Sequence, residues 1–298
     1  LWNGAMTELD TIRAIALRHA GAPHPAMPRL HIYRFDNPTD ANGLIYQPVV
    51  CLVLQGRKRT FIGDGVLEYG ASACMVVAAE LAAVGQVCQA STDEPYLALN
   101  LYLDPAVIST ILLDMNGMAE PAMSPGFGVA EAGPALLDAW CRLASLLDRP
   151  DEIAVLAPHL EHELMFRLLM GPHGALLRQI AGADTRLSHI RRAMAFVRQH
   201  YADHLSIDAM AAVAGMSVSV FHRRFKAVTG VSPLQYQKQI RLHEARRRLV
   251  TEHAEAATVG YAVGYESASQ FSREYKRLFG APPRRDADSL QSIVEAGP

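Results

Sequence analysis

Apolar positions recur along this chain with two different periods, and the changes of period mark its organisation. Between Thr7 and Ala20, Leu9, Ile12, Ala16 and His19 share one side of a helix. Asp10, three residues after Thr7, approximates a capping box, and Pro23, Pro25 and Pro28 end the segment. From Leu30 to Leu103 the pattern shortens to strand-length runs at 30–35, 49–54, 57–62, 66–69, 75–79 and 96–103. Gly63-Asp64-Gly65 reads as a hairpin turn between two of them. Short strands with glycine-bearing turns predict a small antiparallel barrel or sandwich. Helical spacing returns at Pro105, predicting helices at 106–115, 134–147 and 153–170 and a loop over 118–133. The two longer helices carry apolar stripes: Leu136, Leu137, Trp140, Leu143 and Leu147 on one, Leu156, Leu160, Leu164 and Leu168 on the other. Such a pair would cover the barrel or form a dimer interface. A connecting stretch follows at 171–182, helical around 175–180.

The last third is helical throughout and contains one segment written twice. A helix opened by Asp184 or Ser188 runs through Tyr201, with Leu187, Ile190, Met194, Val197 and Tyr201 as its seam. Beyond it, nine identities stand fifty residues apart: Ala212/Ala262, Val213/Val263, Ser217/Ser267, Ser219/Ser269, Phe221/Phe271, Arg223/Arg273, Lys226/Lys276, Gly230/Gly280 and Pro233/Pro283. A repeat of this length is one supersecondary unit used twice. Each copy reads as helix, tight turn, helix. Gly215 and Gly264 supply the turns, Ser217 and Ser267 cap the second helices, and Gly230 and Gly280 stop them.

Those second helices divide into faces. Val218, Phe221, Phe225 and Val228 lie inward in the first, and Ala268, Phe271, Tyr275 and Leu278 in the second. Ser219, His222, Arg223 and Lys226 face out in the first, with Ser269, Ser272, Arg273 and Lys276, flanked by Gln270, in the second. Small polar side chains with Arg, Gln and Lys suit a major groove: Arg pairs with guanine, Gln with adenine, Lys and Ser with phosphates. Between the units, Ser232 and Pro233 open a long helix through Leu234, Ile240, Ala245 and Leu249. It spans roughly 25 Å, close to the ~34 Å of one DNA turn. Past Pro283 the tail reads as loosely ordered.

The runs "GMSVSVFHRRFKAVTGVSPLQYQKQIRLHEARRRL" and "VGYESASQFSREYKRLFGAPP" closely resemble the DNA-binding domain of AraC/XylS-type transcription regulators. In the N-terminal half, "CLVLQGRKR", "EYG" and "EPYLALNLYLD" look like that family's regulatory domain. The resemblance implies an α+β chain of two domains. Residues 6–180 would form a cupin-like β-barrel with flanking helices for regulation and dimerisation, and 184–284 an all-α domain with two helix-turn-helix units. It further implies base-edge contacts by Ser219, His222 and Arg223 in the first unit and by Ala268, Ser269, Gln270 and Arg273 in the second. Arg224, Lys226 and Lys276 would hold phosphates. Promoter DNA, RNA polymerase, a small-molecule effector and a second copy of the chain are the implied partners, with activation of transcription as the outcome.

Charge sharpens this picture. The chain's net charge of −2 hides an asymmetry: residues 1–183 carry 11 Lys and Arg against 19 Asp and Glu, residues 184–298 carry 17 against 11. The basic side is the one with the repeat, as a nucleic-acid module requires. Cys51, Cys74, Cys88 and Cys141 show no zinc spacing and read as small buried hydrophobes, with redox sensing as the alternative. Neither a signal peptide nor a run of eighteen apolar residues occurs, so the expectation is a soluble cytoplasmic protein that meets no membrane.

Other candidate chemistry is thin. His159 and His162 with Glu161 and Glu163 match neither HExxH nor HxxEH, and His200 and His204 have no third ligand in the sequence. The pattern predicts no catalytic residue, metal or cofactor, and a non-enzyme. Arg57-Lys58-Arg59 is a basic cluster in an acidic half, either an anion site or a charged strand edge. Its arginines, with His31, Tyr33, Tyr46 and Tyr69, form the candidate effector set; those aromatics equally suit a core. Two other readings stay open: a cupin-type small-molecule enzyme fused to a DNA-binding domain, and an N-terminal domain that only dimerises.

Overall fold

The strand-rich half folds into two antiparallel sheets stacked face to face. The computed structural model describes residues 7–63, 65–115, 125–181, 186–252 and 254–295; Asp64, Met118 and Asp184 lie outside them, and the side chain of Leu187 is likewise not described. Helix α1 (Glu8–His19) comes first, opened by a capping box in which Thr7 and Asp10 exchange hydrogen bonds. Strands β1 (Leu30–Phe35), β2 (Asn42–Tyr46), β3 (Val49–Gln55), β4 (Arg57–Ile62), β5 (Gly65–Gly70), β6 (Ala73–Val77), β7 (Leu81–Gln89) and β8 (Tyr96–Tyr102) follow, then α2 (Pro105–Asp114) and β9 (Phe127–Glu131). One sheet runs β1-β8-β3-β6-β9, the other β2-β7-β4-β5. The two sheets do not join, so the architecture is an open cupin-like sandwich rather than a closed barrel. Helix α1 covers the outer face of the larger sheet with Ile12, Ile15 and Ala16. Strand β3 is therefore apolar on both faces, and all its residues except Gln55 are buried.

Three strands escape the sequence pattern. Strands β2 and β7 pair with each other, Tyr46 opposite Leu81. Strand β9, inside the expected loop over 118–133, adds an edge to β6 with Val77 opposite Phe127. Strand β4 lies between β7 and β5, which overturns the reading of Arg57-Lys58-Arg59 as a charged strand edge.

Helices α3 (Pro134–Ser145) and α4 (Pro150–Met170), joined by a 3-10 turn at Leu146–Asp148, pack on each other, α3 also on α1 and α4 on α2. Leu143, Leu147, Leu164 and Leu168 are buried within this one chain, each stabilising it by roughly 1.5–3 kcal/mol. The apolar stripes of these helices are thus largely consumed internally; Val155 at 66%, Leu156 at 39% and Met170 at 60% exposure remain outside on α4.

Helices α5 (Gly174–Ala181) and α6 (Arg186–Gln199) lead into the repeat, with Ile190, Met194 and Val197 buried as the seam predicts. The repeat is α7 (Ile207–Val213) and α8 (Val218–Thr229), the long α9 (Pro233–Glu252), then α10 (Ala256–Ala262) and α11 (Ala268–Phe279). The tail is not loose: it forms α12 (Pro283–Glu295), which packs on α9. Pro283 stands at its first position, where proline is favoured, as Pro233 does in α9.

The two units attach to the sandwich differently. The apolar core of the sandwich continues into α6–α8 and the first half of α9, whereas α10–α12 and the second half of α9 close a separate core. At the first attachment, Gly63 and Gly230, both at positive φ, bring their backbones together; a Cβ on Gly63 would collide with the Gly230 carbonyl. Gly126 donates its backbone N–H to Val228 (3.1 Å), and Glu80 takes both an ion pair from Arg198 and a hydrogen bond from the Tyr236 hydroxyl. The second unit meets β2 through Leu278 and Phe279 of α11, which pack against Gly43, and beside them Arg246 of α9 donates to Asn42 Oδ1 (2.6 Å) and the Gly43 carbonyl (3.3 Å).

Candidate nucleic-acid interface

The two units share most local rules but not their caps: Ser217, expected to cap α8, stands at its N-cap without a side-chain capping hydrogen bond. Ser206 accepts from the Ala209 N–H (3.1 Å) to open α7, and Ser267 accepts from the Gln270 N–H to open α11. Gly230 and Gly280 end α8 and α11 in the left-handed conformation, each N–H bonding back to the lysine four residues earlier. Phe221 and Phe225 pack at 5.3 Å between ring centroids, as do Phe271 and Tyr275 at 5.5 Å, fixing which side of each helix turns inward.

The structure corrects the register of the repeat. Helices α8 and α11 stand fifty residues apart, but α7 and α10 stand forty-nine apart, because the second turn is one residue longer. Gly215 therefore matches Gly264; the Met216 N–H bonds the Ala211 carbonyl as the Tyr265 N–H bonds that of Gly260. Ala212/Ala262 and Val213/Val263 are identities without structural equivalence; the other seven pairs keep theirs.

Ser219, His222, Arg223 and Lys226 are exposed on α8, as are Ser269, Arg273 and Lys276 on α11. Arg224, Ala268 and Gln270 are half-buried. Val218, expected inside, is 41% exposed because it opens its helix ahead of the packed turn. Among the described residues, Arg223 and Arg273 make no hydrogen bond or ion pair, so both guanidinium groups are available to a partner. Gln270 is already engaged: its amide donates to Glu274 (3.2 Å). Glu274 also accepts from Lys238 (3.0 Å) and the Tyr265 hydroxyl (2.9 Å). Burial pushes its carboxyl up, but those three donors outweigh it and hold it below its usual range. The C-terminal ends of α8 and α11 rest against the sandwich, at Gly63 and Gly126 for the first and at Gly43 for the second.

Helix α9 fixes the spacing of the units. Arg241 donates to the carbonyls of Tyr201, Asp203 and Gly264, and Gln237 to those of Tyr201 and Asp203. One turn of α9 thus holds both the entry to the first unit and the turn of the second. Its twenty residues span about 30 Å.

The candidate effector residues divide. Strand alternation sends Arg57 and Arg59 outward, where both pair with Glu68 (3.8 and 2.7 Å). Lys58, between them, points inward with its ammonium 5.5 Å from the centre of the Tyr46 ring. Tyr46 and Tyr69 are buried on that inner face, and the Tyr69 hydroxyl pairs with Thr60 (3.0 Å). His31 and Tyr33 lie on β1 in the opposite sheet, His31 edge-on to Tyr102 and bonded to the Pro28 carbonyl. The inner face opens into a cleft of about 1000 Å³ between the sandwich and the second unit, lined by Lys58, Leu44, Arg246, Lys276, Phe279 and Arg285 among others. Lys276, expected at phosphate, thus borders this cleft as well. Arg246, Lys238 and Glu274 escaped the site reading; Lys58 was in it only as part of the Arg57-Lys58-Arg59 cluster, although its inward position follows from the alternation of β4. Among the described residues no group of three or more His, Cys, Asp and Glu side chains is placed to hold a metal, and no helix is long and apolar enough to cross a membrane. Burial pushes the thiol of Cys51 up to about 11 and that of Cys74 higher still.

Comparison with known proteins gives this arrangement its context. The HTH-type transcriptional activator RhaS of Escherichia coli O1:K1 is 27% identical over 145 residues, 48% of this chain and 51% of that one. The RhaS of E. coli O139:H28 is 30% identical over 124 residues, 41% and 44% of the two chains. The chain spans about half the length of the curated relatives it matches. Among solved structures, ToxT from Vibrio cholerae O395, bound to (E)-4-(8-methylnaphthalen-1-yl)but-3-enoic acid, superposes with TM-score 0.60 at 12% identity, covering 88% of this chain and 98% of ToxT. ToxT of strain SCE256 with a bound unsaturated fatty acid gives 0.58 at 11%, covering 85% and 92%; both likenesses are of fold. Residues 210–288 match a helix-turn-helix domain, and residues 26–176, more than half of the chain, match the AraC-type transcriptional regulator N-terminus. With a regulatory half and a DNA-reading half both matched in order, the chain belongs to the AraC-type transcriptional regulators.

Proposed function

We propose that this chain is a sequence-specific, DNA-binding activator of transcription that acts in the cytoplasm and engages RNA polymerase at its promoters. The observation that carries the reading is the pair Arg223 and Arg273: equivalent positions of the second helices of the two units, both exposed, both without partners among the described residues. Ser219, His222, Ser269 and Gln270 join them at base edges, and Ala268 offers only a methyl. Arg224, Lys226 and Lys276 hold phosphates. Residues 6–180 serve regulation and dimerisation, and 184–284 read DNA, with α12 bracing the second unit. Selection from a random duplex library tests the reading. The chain should enrich a bipartite motif whose two parts lie about one helical turn apart; enrichment of nothing, or of a single short site, would refute it.

The sandwich and its cleft support an effector response. Lys58 reaches the cleft from the sandwich, and Arg246, Lys276 and Arg285 reach it from the helical half, beside Leu44 and Phe279. This mix suits an organic acid with an apolar body, the class to which both ToxT ligands belong. The effector set is thus revised to Lys58, Tyr46 and Tyr69, with His31 and Tyr33 on the facing sheet. Dimerisation is assigned to the outer face of α4, around Val155 and Leu156.

A further inference from the structure

Glu274 sits one helical turn after Gln270 on α11 and accepts three hydrogen bonds: from the Gln270 amide (3.2 Å), from Lys238 of α9 (3.0 Å) and from the Tyr265 hydroxyl (2.9 Å). An ionised carboxylate only accepts, so only the NH₂ end of the Gln270 amide can face it. The amide therefore cannot flip. Its oxygen and one N–H remain for a partner outside the chain. That pair of groups matches adenine in the major groove, whose N6 amino group donates and whose N7 accepts. Guanine and thymine would set an acceptor, O6 or O4, against the amide oxygen. The first unit has Val220 and Arg224 at the corresponding positions, so this arrangement belongs to the second unit alone.

We propose that Glu274 is a positioning residue that locks the amide of Gln270 in one orientation and thereby makes the second unit select adenine at one base pair. The proposal rests on the DNA-reading function above, with Gln270 among the readers. It gives the ion pair with Lys238 a second consequence: the linker helix that spaces the units also holds the group that orients a reader.

The test uses the full chain and the operator it enriches from a random duplex library, followed by binding to all single-base variants of that operator at fixed salt. Gln270→Ala should abolish a preference for adenine at one base pair; the wild-type preference there should be about ten- to a hundredfold, the range a bidentate contact gives. Glu274→Gln, which lets either end of the Gln270 amide face it, should reduce the same preference to under about threefold and leave the other base pairs unchanged. Lys238→Met removes the ion pair but keeps the carboxylate beside Gln270, so it should retain the adenine preference even if it lowers stability. The exchanged pair Gln270→Glu with Glu274→Gln restores a fixed acceptor at position 270 without the N–H for N7, and should restore selection for an amino-bearing base, now cytosine. A Glu274→Gln chain that keeps the full adenine preference, or a Gln270→Ala chain with every preference intact, overturns the proposal while leaving the enriched operator, and so the DNA-reading function, standing. A wild-type chain that enriches no motif overturns both.

Discussion

Arg246 joins three elements at once, and its loss should be felt in one part of the molecule. Its guanidinium makes a two-pronged contact with Asp286 of α12 (2.8 and 3.0 Å), lies 4.6 Å from the centre of the Phe279 ring of α11, and reaches β2 through Asn42 and Gly43. Both charged groups are largely buried, at 14% and 10% side-chain exposure, and the Tyr275 hydroxyl also donates to Asp286 (2.8 Å). Arg246→Met keeps most of the packing volume but strands the Asp286 carboxylate with one neutral donor. Breaking a buried pair in this way costs about 3–5 kcal/mol. Because α10–α12 close a core of their own, the loss should appear as local opening of that unit. Amide hydrogen exchange in α11 and α12 should quicken by roughly 10²-fold or more, at about 1.4 kcal/mol per tenfold, up to the limit set by the unit's own stability, while β3 and β8 stay protected. Asp286→Asn added to Arg246→Met should recover most of the protection, since a neutralised site no longer holds an unpaired charge. Acceleration below tenfold in Arg246→Met, or no recovery in the double variant, would refute the reasoning.

Further outcomes follow from other contacts. Burial, with the nearby Arg246 charge, pushes the His243 imidazole down to about 4. Its folded value lies below its unfolded value near 6.5, so the stability it contributes is present above about pH 6.5 and lost as pH falls toward 4. Urea melts across that window should show the loss, and His243→Leu should flatten that part of the profile. If the cleft takes an organic acid as proposed, an unsaturated fatty acid used as probe should raise the midpoint of thermal unfolding, and Lys58→Met should remove that rise; by reciprocity the acid must shift operator affinity by the factor by which operator shifts acid affinity. Sedimentation at micromolar concentration should give twice the chain mass of 32.5 kDa, and Val155→Glu with Leu156→Glu should give one.

What the sequence made legible is what local rules govern. The Ser267 cap, the glycine stops and the aromatic seams of α8 and α11 follow from residues three or four apart and stand where the spacing puts them, whereas Ser217 occupies the N-cap of α8 without making the capping hydrogen bond. The misses share a different cause. Strand β7 is mostly small and apolar, with both neighbours distant in sequence, and β9 becomes a strand only by pairing with β6. Helix α12 was hidden because the chain past Pro283 reads as a loose tail, although the matching Pro233 opens α9. The offset between α7 and α10 could not be seen because two chance identities continued the fifty-residue register past its true end. In the site, charge masked alternation: Arg57-Lys58-Arg59 looks like one patch, but a strand splits it, two side chains to Glu68 and one to the interior. The cleft itself joins residues more than two hundred positions apart, and no local pattern announces it.

The central claim is that α8 and α11 read base edges through Arg223 and Arg273. Its most direct measurement is the binding of Arg223→Ala and Arg273→Ala chains to every single-base variant of the enriched operator at fixed salt. Each substitution should weaken operator binding about ten- to a hundredfold and erase the preference at one base pair, the two affected pairs lying about one helical turn apart. Lys226→Ala in the same assay should weaken all sequences alike and lower the salt dependence. If both arginine variants lose affinity equally for every sequence, these side chains clamp phosphates and the assignment of the readers is wrong.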